Sequence, residues 1–427
     1  MLKFFIRAVS TILMMMTMSA SALAQERSRI LHYDQFGEAT DYEIHELESI
    51  NKAGRSRTTG EASPKENKPY NPDTQFERGE VLVLDPPNTF SSEIRMLDFK
   101  VVETLDIDEY GMKVMRVRIP SSMNVPTATR ILLSRFPNLL IDPNYIYKPS
   151  GEDIPFPKKL PRALFRWSDA PVSCGKGLRI GMIDSGIDIT HPALKDQDIT
   201  FRSFYKKGGK PGPKEGHGTA VAGILIGAPK WGGLLPGASL FAANFIEYNE
   251  LGRKVGTAMN LLNAVKWLIA KKVDILNLSI AGAESKILQK FIKRAHKEQL
   301  VMVASAGSWG RTDKPAYPAA FNDVVAVTAL SLDGKIYRKA NAGKYIDFSA
   351  PGVQVYTAAL GGGGRLQSGT SFAAPFITAL MGLEILKGRA GTHSQLYNIL
   401  QNKAKDLGAP GRDNVFGWGF VWKPPDC

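Results

Sequence analysis

Residues 77–149 alternate short apolar runs with amphipathic stretches, in the order strand, helix, strand, strand, helix, strand. This order is typical of the split βαβ (ferredoxin-like) arrangement, a small antiparallel sheet with two helices. On the pattern alone, it predicts a small α/β domain. The predicted strands are 81–84, 101–107, 112–119 and 139–147, and the predicted helices are 90–97 and 127–136.

From residue 171 to residue 427 the pattern changes to continuous apolar strands separated by helices. Strands that are apolar along their whole length are buried on both faces, as in a parallel sheet covered by two layers of helices. The pattern therefore predicts an α/β domain with a mostly parallel sheet. The predicted strands are 178–184, 240–246, 273–280, 301–305 and 324–328, and the predicted helices are 218–226, 258–271, 285–298 and 371–386.

The first 24 residues have the pattern of an export signal. Lys3 and Arg7 precede a short apolar run at 8–18, and Ala22-Leu23-Ala24 has the small-x-small pattern of a cleavage site. The alternative is a membrane anchor, but the apolar run is shorter than the ~20 residues that a spanning helix needs. We therefore expect a secreted or periplasmic protein without a transmembrane segment.

Two further segments have the composition of linkers, namely the polar stretch 25–76 and the Pro/Lys/Arg-rich stretch 150–170. The net charge of +13 lies entirely beyond residue 166, where 32 basic residues face 19 acidic ones. Such a charge favours contact with anionic surfaces. Basic residues do not alternate with aromatic ones in a stripe, so we expect no nucleic-acid partner.

Two candidate catalytic residues lie at the ends of predicted elements, one at the end of a strand and one at the start of a helix. Asp184 ends the first strand of the larger domain, before Ser185-Gly186, and ligands bind beyond the carboxyl ends of parallel strands. A turn-forming Asp is the alternative. His217 stands between two glycines, and the small residues after it predict a closely packed helix that leaves the imidazole at its exposed start. His191 precedes a proline and is interpreted as a structural residue.

Ser371 opens an apolar helix in the segment Ser368-Gly369-Thr370-Ser371. The positive end of the helix dipole favours negative charge that develops nearby. The alternative is an ordinary helix cap. Asp, His and Ser in this order, each at a strand end or helix start, together indicate nucleophilic catalysis.

The segments around these three residues resemble the signatures of the subtilisin-like serine peptidases, the subtilases. The resemblance covers roughly residues 170–390 and includes Asn277-Leu278-Ser279-Ile280 and Ser349-Ala350-Pro351-Gly352. It implies a three-layer α/β/α fold with about seven mostly parallel strands, together with endopeptidase activity. Residues 77–149 then resemble the subtilase propeptide, an intramolecular chaperone and inhibitor that is cut from the enzyme, here between Tyr147 and Ala170.

The resemblance also implies roles for individual residues. Ser371 would be the nucleophile, His217 the general base, Asp184 the residue that orients His217, and the Ser371 amide one donor to the oxyanion. The remaining implied site residues would bind substrate. Ser279, Ile280 and Ala281 would pair with an extended peptide, and the floor of the first specificity pocket would consist of Ala304, Ser305, Ala306 and Gly307. Because these four residues are small, the pocket would admit a sizeable apolar side chain.

The sequence departs from the subtilase pattern at two positions in this region. Ser308 stands where the family usually has the Asn whose amide is the second oxyanion donor. Because Ser is shorter, we expect a slower enzyme. Ala281 replaces the usual Gly. The stretch 228–237 also lacks the Asn-rich insertion that binds calcium in several subtilases, so we expect neither a strong calcium site nor a cofactor.

Cys174 and Cys427 are the only cysteines in the chain. In an exported protein, a pair of this kind predicts a disulfide, and two free thiols are the alternative.

Three hypotheses on function follow. The first is an exported serine endopeptidase, monomeric, that acts on proteins or peptides and is inhibited by its own propeptide. The second is a catalytically impaired subtilase that binds peptides, motivated by Ser308 and Ala281. The third is a cationic protein that binds anionic surfaces, motivated only by the charge.

Overall fold

Strands and helices are numbered here in chain order. The computed structural model describes residues 76–427 with gaps at 150–151, 155–160, 165–166, 168–170, 207–208, 213–214, 250–251, 311–313, 389–390 and 422–426. The strands are β1 Phe76–Leu84, β2 Lys100–Ile107, β3 Met112–Arg118, β4 Leu140–Pro149, β5 Glu152–Ile154, β6 Arg179–Asp184, β7 Ile199–Ser203, β8 Lys210–Pro211, β9 Ser239–Asn244, β10 Ile246–Tyr248, β11 Lys254–Thr257, β12 Ile275–Leu278, β13 Ile280–Ala281, β14 Val301–Ser305, β15 Val325–Leu330, β16 Phe348–Pro351, β17 Val355–Ala358 and β18 Gly364–Ser368. The helices are α1 Phe90–Arg95, α2 Val125–Arg135, α3 Pro161–Leu164, α4 Gly216–Ile226, α5 Ala258–Ala270, α6 Lys286–Lys297, α7 Thr370–Leu386 and α8 His393–Lys403.

A seven-stranded parallel sheet in the order β16-β15-β14-β12-β6-β9-β7 forms the centre of the larger part of the structure. Helices α4, α7 and α8 cover one face, and α5 and α6 cover the other. Side chains alternate between these layers: along β6, Ile180 and Met182 face the first layer and Ile183 the second. The predicted three-layer α/β/α fold is confirmed.

The amino-terminal part folds as an antiparallel sheet in the order β2-β3-β1-β4, with α1 and α2 on one face. Phe90, Ile94 and Leu132 of these helices bury against Val81 and Val83. This is the predicted split βαβ arrangement. The opposite face of the sheet joins the hydrophobic cluster of α5 and α6, so this part packs directly on the larger one.

Strand β4 continues past this sheet and connects it with the larger part of the structure. Its carboxyl end pairs with β11 on one edge and with β13 on the other. The antiparallel sheet therefore runs on from β4 through β11 and β10 to β8. Strand β5 then pairs with β18 in a separate three-stranded sheet that also contains β17.

Polar side chains of β4 also cap the two helices on which the amino-terminal sheet packs. The Asp142 carboxylate accepts hydrogen bonds from the Ser285 hydroxyl and the Ile287 amide, both at 2.9 Å. The Asn144 side-chain oxygen accepts from the Met259 amide at 3.2 Å. Amides in the first turn of a helix have no carbonyl partner within it. Strand β4 therefore supplies partners at the starts of both α5 and α6.

The pattern missed the two edge strands of the parallel sheet, β7 and β16. Strand β7 (Ile199–Ser203) is largely exposed and contains Thr, Arg and Ser, and β16 is only four residues long and ends in Pro351. The predicted strand at 273–280 is divided between β12 and β13. The segment 150–170, predicted as a linker, contains β5 and α3. Strand β5 is held by backbone pairing, which its polar sequence does not predict.

Cys174 and Cys427 form a disulfide with a Cα–Cα distance of 5.2 Å. The bond joins the turn before β6 to the last residue of the chain, 253 positions further on. A cross-link over so many residues restricts the unfolded chain strongly. Among the residues that the structure describes, no helix has the length and apolar character needed to cross a bilayer. The predicted signal peptide lies outside the described residues.

His393 provides a test of how acid affects stability. Burial, together with the adjacent His296 imidazole, lowers the pKa of His393 from 6.5 to about 4, and Asp323 only partly offsets this. The two rings meet edge to face with centroids 4.9 Å apart. The unfolded chain therefore takes up a proton at this site near pH 6.5, whereas the folded chain does so only near pH 4. We expect stability to fall as the pH drops between these values.

The measurement is the melting temperature from neutral pH down to about pH 4, with and without His393→Gln. Both proteins carry Ser371→Ala to prevent self-digestion. His393→Gln should reduce the loss of stability in this interval. Parallel profiles for the two proteins would contradict the prediction.

Candidate active site

Asp184 is fully buried at the carboxyl end of β6, a central strand of the parallel sheet. Its Oδ1 atom accepts hydrogen bonds from the Ser185 amide at 2.6 Å and the Ser185 hydroxyl at 3.1 Å. The chain turns here and fixes the carboxylate at the edge where ligands bind in such sheets.

His217 lies in the first turn of α4, with its Nδ1 atom 2.8 Å from Asp184 Oδ1. The helix comes this close because residue 218 is glycine: a Cβ there would lie 2.6 Å from the Ser185 carbonyl oxygen. When Nδ1–H donates to the carboxylate, Nε2 is left as the proton acceptor of the ring. The Nε2 atom is buried and has no hydrogen-bond partner among the described residues.

Ser371 is the second residue of α7, a helix buried along almost its whole length. The ring of the next residue, Phe372, lies against the His217 ring with centroids 5.0 Å apart. The Ser279 hydroxyl donates to the Ser371 carbonyl at 2.8 Å. The structure thus brings Asp184, His217 and Ser371 together where β6 ends and where α4 and α7 begin.

The hydroxyl of Ser308 lies beside this helix start. It accepts a hydrogen bond from the Thr370 amide at 3.2 Å and is 3.2 Å from the Thr370 hydroxyl oxygen. That oxygen in turn accepts from the Gly307 amide at 3.1 Å. Ser308 is therefore linked to the residue directly before Ser371. The sequence did not single out Thr370, although it stands within the segment that identified Ser371.

The chain's own β4 occupies the groove between β11 and β13. Lys148 and Pro149 pair antiparallel with Ala281 and Ile280, the strand at which the sequence predicts substrate binding. On the opposite edge, the carboxyl end of β4 pairs with Gly256 and Thr257 of β11. An extended peptide in this groove is thus bonded through its backbone on both edges.

Beyond the groove the same chain pairs with the strand that leads to Ser371. Glu152 lies opposite Ser368 in the β5–β18 pairing, and Ser368 precedes Ser371 by three residues. Pro149 is therefore paired with β13, and Glu152 is paired with β18, which ends three residues before Ser371. Only residues 150 and 151 separate them in the sequence.

Tyr147 is the large side chain of this segment, and it is fully buried. Its ring lies on Gly282, where a Cβ would overlap the ring, and its hydroxyl donates to the Ala283 carbonyl at 3.2 Å. The next residue, Lys148, is exposed. The sequence predicts Tyr147 as the end of a strand and as the near limit of the cut, but it gives no sign of this burial.

The predicted floor of the first pocket lies at the end of β14. Ser305 is buried and its hydroxyl donates to the Ile280 carbonyl at 3.3 Å. Gly307 has φ +94°, and a Cβ there would lie 2.8 Å from both the Ala316 Cβ and the Asn341 Nδ2. Backbone conformation and close packing both require glycine at this position.

His191 is buried away from this chemistry. Its Nε2 lies 2.7 Å from the Gly363 carbonyl and its Nδ1 accepts from the Ala193 amide at 3.0 Å, a structural arrangement. In the described part of the chain, no group of three His, Cys, Asp or Glu side chains has the arrangement of a metal site.

The fold recurs in solved structures. Fervidolysin from Fervidobacterium pennivorans, described as a keratinolytic enzyme related to subtilisin, superposes with a TM-score of 0.69 over 84% of this chain and 63% of its own, at 20% sequence identity. The similarity places this chain in the class of subtilisin-like α/β/α proteins.

Sequence comparison identifies the family. The model of the subtilase family (peptidase S8) matches residues 175–419. Over 255 residues, 58% of this chain, the sequence is 34% identical to the minor extracellular protease Epr and 30% identical to subtilisin E, both from Bacillus subtilis. The chain belongs to the subtilase family. The alignments span 38% of Epr and 65% of subtilisin E, less than two thirds of either relative.

Proposed function

We propose that this protein is an exported serine endopeptidase that is made as a precursor and cuts itself. The observation that carries the proposal is the 2.8 Å contact of His217 Nδ1 with Asp184, beside the helix turn that holds Ser371. Family membership supports the same activity. The signal pattern of the first 24 residues supports export.

In this mechanism the Ser371 hydroxyl attacks the peptide carbonyl while His217 Nε2 takes its proton. The carbonyl oxygen becomes an oxyanion, which the Ser371 amide stabilises as one donor. His217 then protonates the leaving amine, and an acyl-enzyme forms that water hydrolyses by the same steps. Asp184 holds the tautomer in which Nε2 is the base and stabilises the imidazolium.

The first substrate is the chain itself. Strand β4 pairs with β13 as far as Pro149, and β5 pairs from Glu152 with β18, the strand that leads to Ser371, so the cut would fall in one of the three peptide bonds between Pro149 and Glu152. After the cut, the amino-terminal sheet would stay bound through β4 and occupy the groove as an inhibitor. Self-cleavage of this kind requires only one turnover per molecule, because the cut strand belongs to the same chain.

The second candidate is a catalytically impaired subtilase that binds peptides between β11 and β13. Ser308 and Ala281 favour it, because the first removes the usual amide donor and the second adds a methyl group beside the bound strand. The third, a cationic surface-binding protein, rests on charge alone and predicts binding that weakens steeply with salt.

Replacing the nucleophile separates the first two candidates. We expect the full-length chain to process itself and to react with a serine-directed phosphonate, whereas Ser371→Ala should stay intact and unlabelled, as seen by gel and intact mass. Ser394→Ala, in the exposed first turn of α8, is the matched control and should behave as the unmodified protein.

Two results would contradict the proposal. Normal maturation of Ser371→Ala in a protease-free preparation would mean that another enzyme makes the cut. Absence of both labelling and processing in the unmodified chain would favour the peptide-binding candidate.

The buried Tyr147 predicts a substrate preference. A peptide with the sequence of residues 146–154 should be cleaved by the processed enzyme, and replacing its Tyr by Ala should lower kcat/KM by about 10–100-fold, as for other buried aromatic anchors. Replacement by Phe should cost about 2–10-fold, because the hydrogen bond to the Ala283 carbonyl is lost while the ring is kept.

Replacing the Lys of the same peptide, at position 148, by Ala is the control, since that side chain is exposed. It should lower kcat/KM much less than the replacement of Tyr does, because the Lys side chain is exposed and the Tyr side chain is fully buried. Equal rates for the Tyr and Ala peptides would show that burial of this side chain against Gly282 does not select substrates.

A further inference from the structure

We propose that the exposed face of α6 is a second substrate-binding surface, which recognises acidic residues on the amino-terminal side of a peptide bound in the groove. The inference rests on the proposed peptidase activity and names the substrates it would favour, which are proteins with an acidic stretch upstream of the cleaved bond. We call this face the basic stripe. It consists of Lys286, Lys290, Lys293, Arg294 and Lys297.

The basic residues of α6 all project from one side of the helix. They follow the spacing i, i+4, i+7, i+8 and i+11, which at about 3.6 residues per turn places them within an arc of about 100°. All five are exposed, whereas the opposite side of the helix is apolar and buried in the core, as at Ile287 and Phe291. The helix rises about 1.5 Å per residue, so the basic stripe is about 16 Å long.

Little of the charge on the basic stripe is neutralised within the protein. Arg294 forms an exposed ion pair with Glu298 at 3.7 Å. Lys290, Lys293 and Lys297 form no ion pair with any residue that the structure describes. Like charges three or four positions apart on a helix repel one another. An anionic partner that lies along the helix would therefore be attracted to the basic stripe.

The basic stripe begins at the place to which a peptide in the groove leads. In this structure that peptide is β4, and five residues before Tyr147 its Asp142 carboxylate accepts hydrogen bonds from the Ser285 hydroxyl and the Ile287 amide. Lys286, the first residue of the basic stripe, lies between these two residues in the sequence. A substrate bound as β4 is would reach α6 at the same point. Five further residues, about 16 Å when extended, would reach the end of the basic stripe.

The surroundings of the basic stripe favour a linear acidic segment over a flat anionic surface. Glu284 lies just before the helix, Glu298 just after it, and Asp323 beside it, 3.7 Å from the His296 ring. A membrane would face these carboxylates together with the lysines. An extended chain along the helix would contact the basic stripe alone.

The test compares two peptides as substrates of the processed enzyme. Both contain residues 142–154, preceded by five Glu residues in one and by five Gln residues in the other. We expect kcat/KM to be about 5–20-fold higher for the Glu peptide, because several exposed ion pairs that are individually weak act together. The difference should lie in KM and not in kcat, since the basic stripe is remote from the reacting bond. High salt should abolish it.

Two triple variants of equal charge show whether the preference depends on the basic stripe. Lys290→Gln with Lys293→Gln and Lys297→Gln should reduce the ratio of kcat/KM for the two peptides to about two or less. The matched control replaces three exposed lysines outside α6, as Lys176→Gln, Lys195→Gln and Lys387→Gln, and should keep the ratio of the unmodified enzyme. Thermal melting shows that both variants fold.

Equal kcat/KM for the two peptides in the unmodified enzyme would overturn the proposal. An equal loss of the ratio in both triple variants would also overturn it, because net charge would then explain the preference. Binding to vesicles of phosphatidylglycerol and phosphatidylcholine that depends on the basic stripe, without any preference between the peptides, would assign this face to a membrane instead. If neither peptide is cleaved, the proposed function itself fails, and the basic stripe has no substrate to bind.

Discussion

The pairing of β4 along both of its edges is the interaction on which the arrangement of the cleft depends. Strands β11 and β13 are short and separate in the sequence, and each presents backbone groups toward the same groove. The backbone N–H and C=O groups at the edge of a strand are unpaired unless another strand hydrogen-bonds to them. The chain's own segment supplies this partner through β4, and Tyr147 of this strand is buried against Gly282.

The same strand links the amino-terminal sheet to the start of two helices. Asp142 and Asn144 cap α6 and α5, and the residues that follow enter the groove between β11 and β13. In the same sheet, the Arg116 guanidinium on β3 forms ion pairs with the carboxylates of Glu80 on β1 and Glu103 on β2, at nitrogen–oxygen distances of 2.7 and 2.8 Å. These ion pairs link three strands of the sheet. The contacts of β4 join the amino-terminal sheet to the starts of both helices and to the groove.

The parallel fold could be predicted, and the three residues of the proposed catalytic site could be singled out, because their local sequences are restrictive. Asp184 ends a buried strand, and the helix start beside His217 accepts only glycine at position 218. Few other placements of these two side chains are compatible with such local sequences. Strand β5 (Glu152–Ile154) could not be predicted, since it is defined by backbone pairing with β18. The link between Ser308 and Thr370 joins residues 62 positions apart, and no local pattern indicates such a contact.

Sequencing the amino terminus of the stable carboxyl-terminal fragment tests the central claim most directly. The full-length chain is produced in a host lacking other secreted proteases, and the fragment is analysed by Edman degradation and intact mass. If the chain lies through the cleft as its first substrate, the fragment begins at Ser150, Gly151 or Glu152. A fragment that begins at any other residue, under conditions in which Ser371 reacts with the phosphonate, would contradict this arrangement.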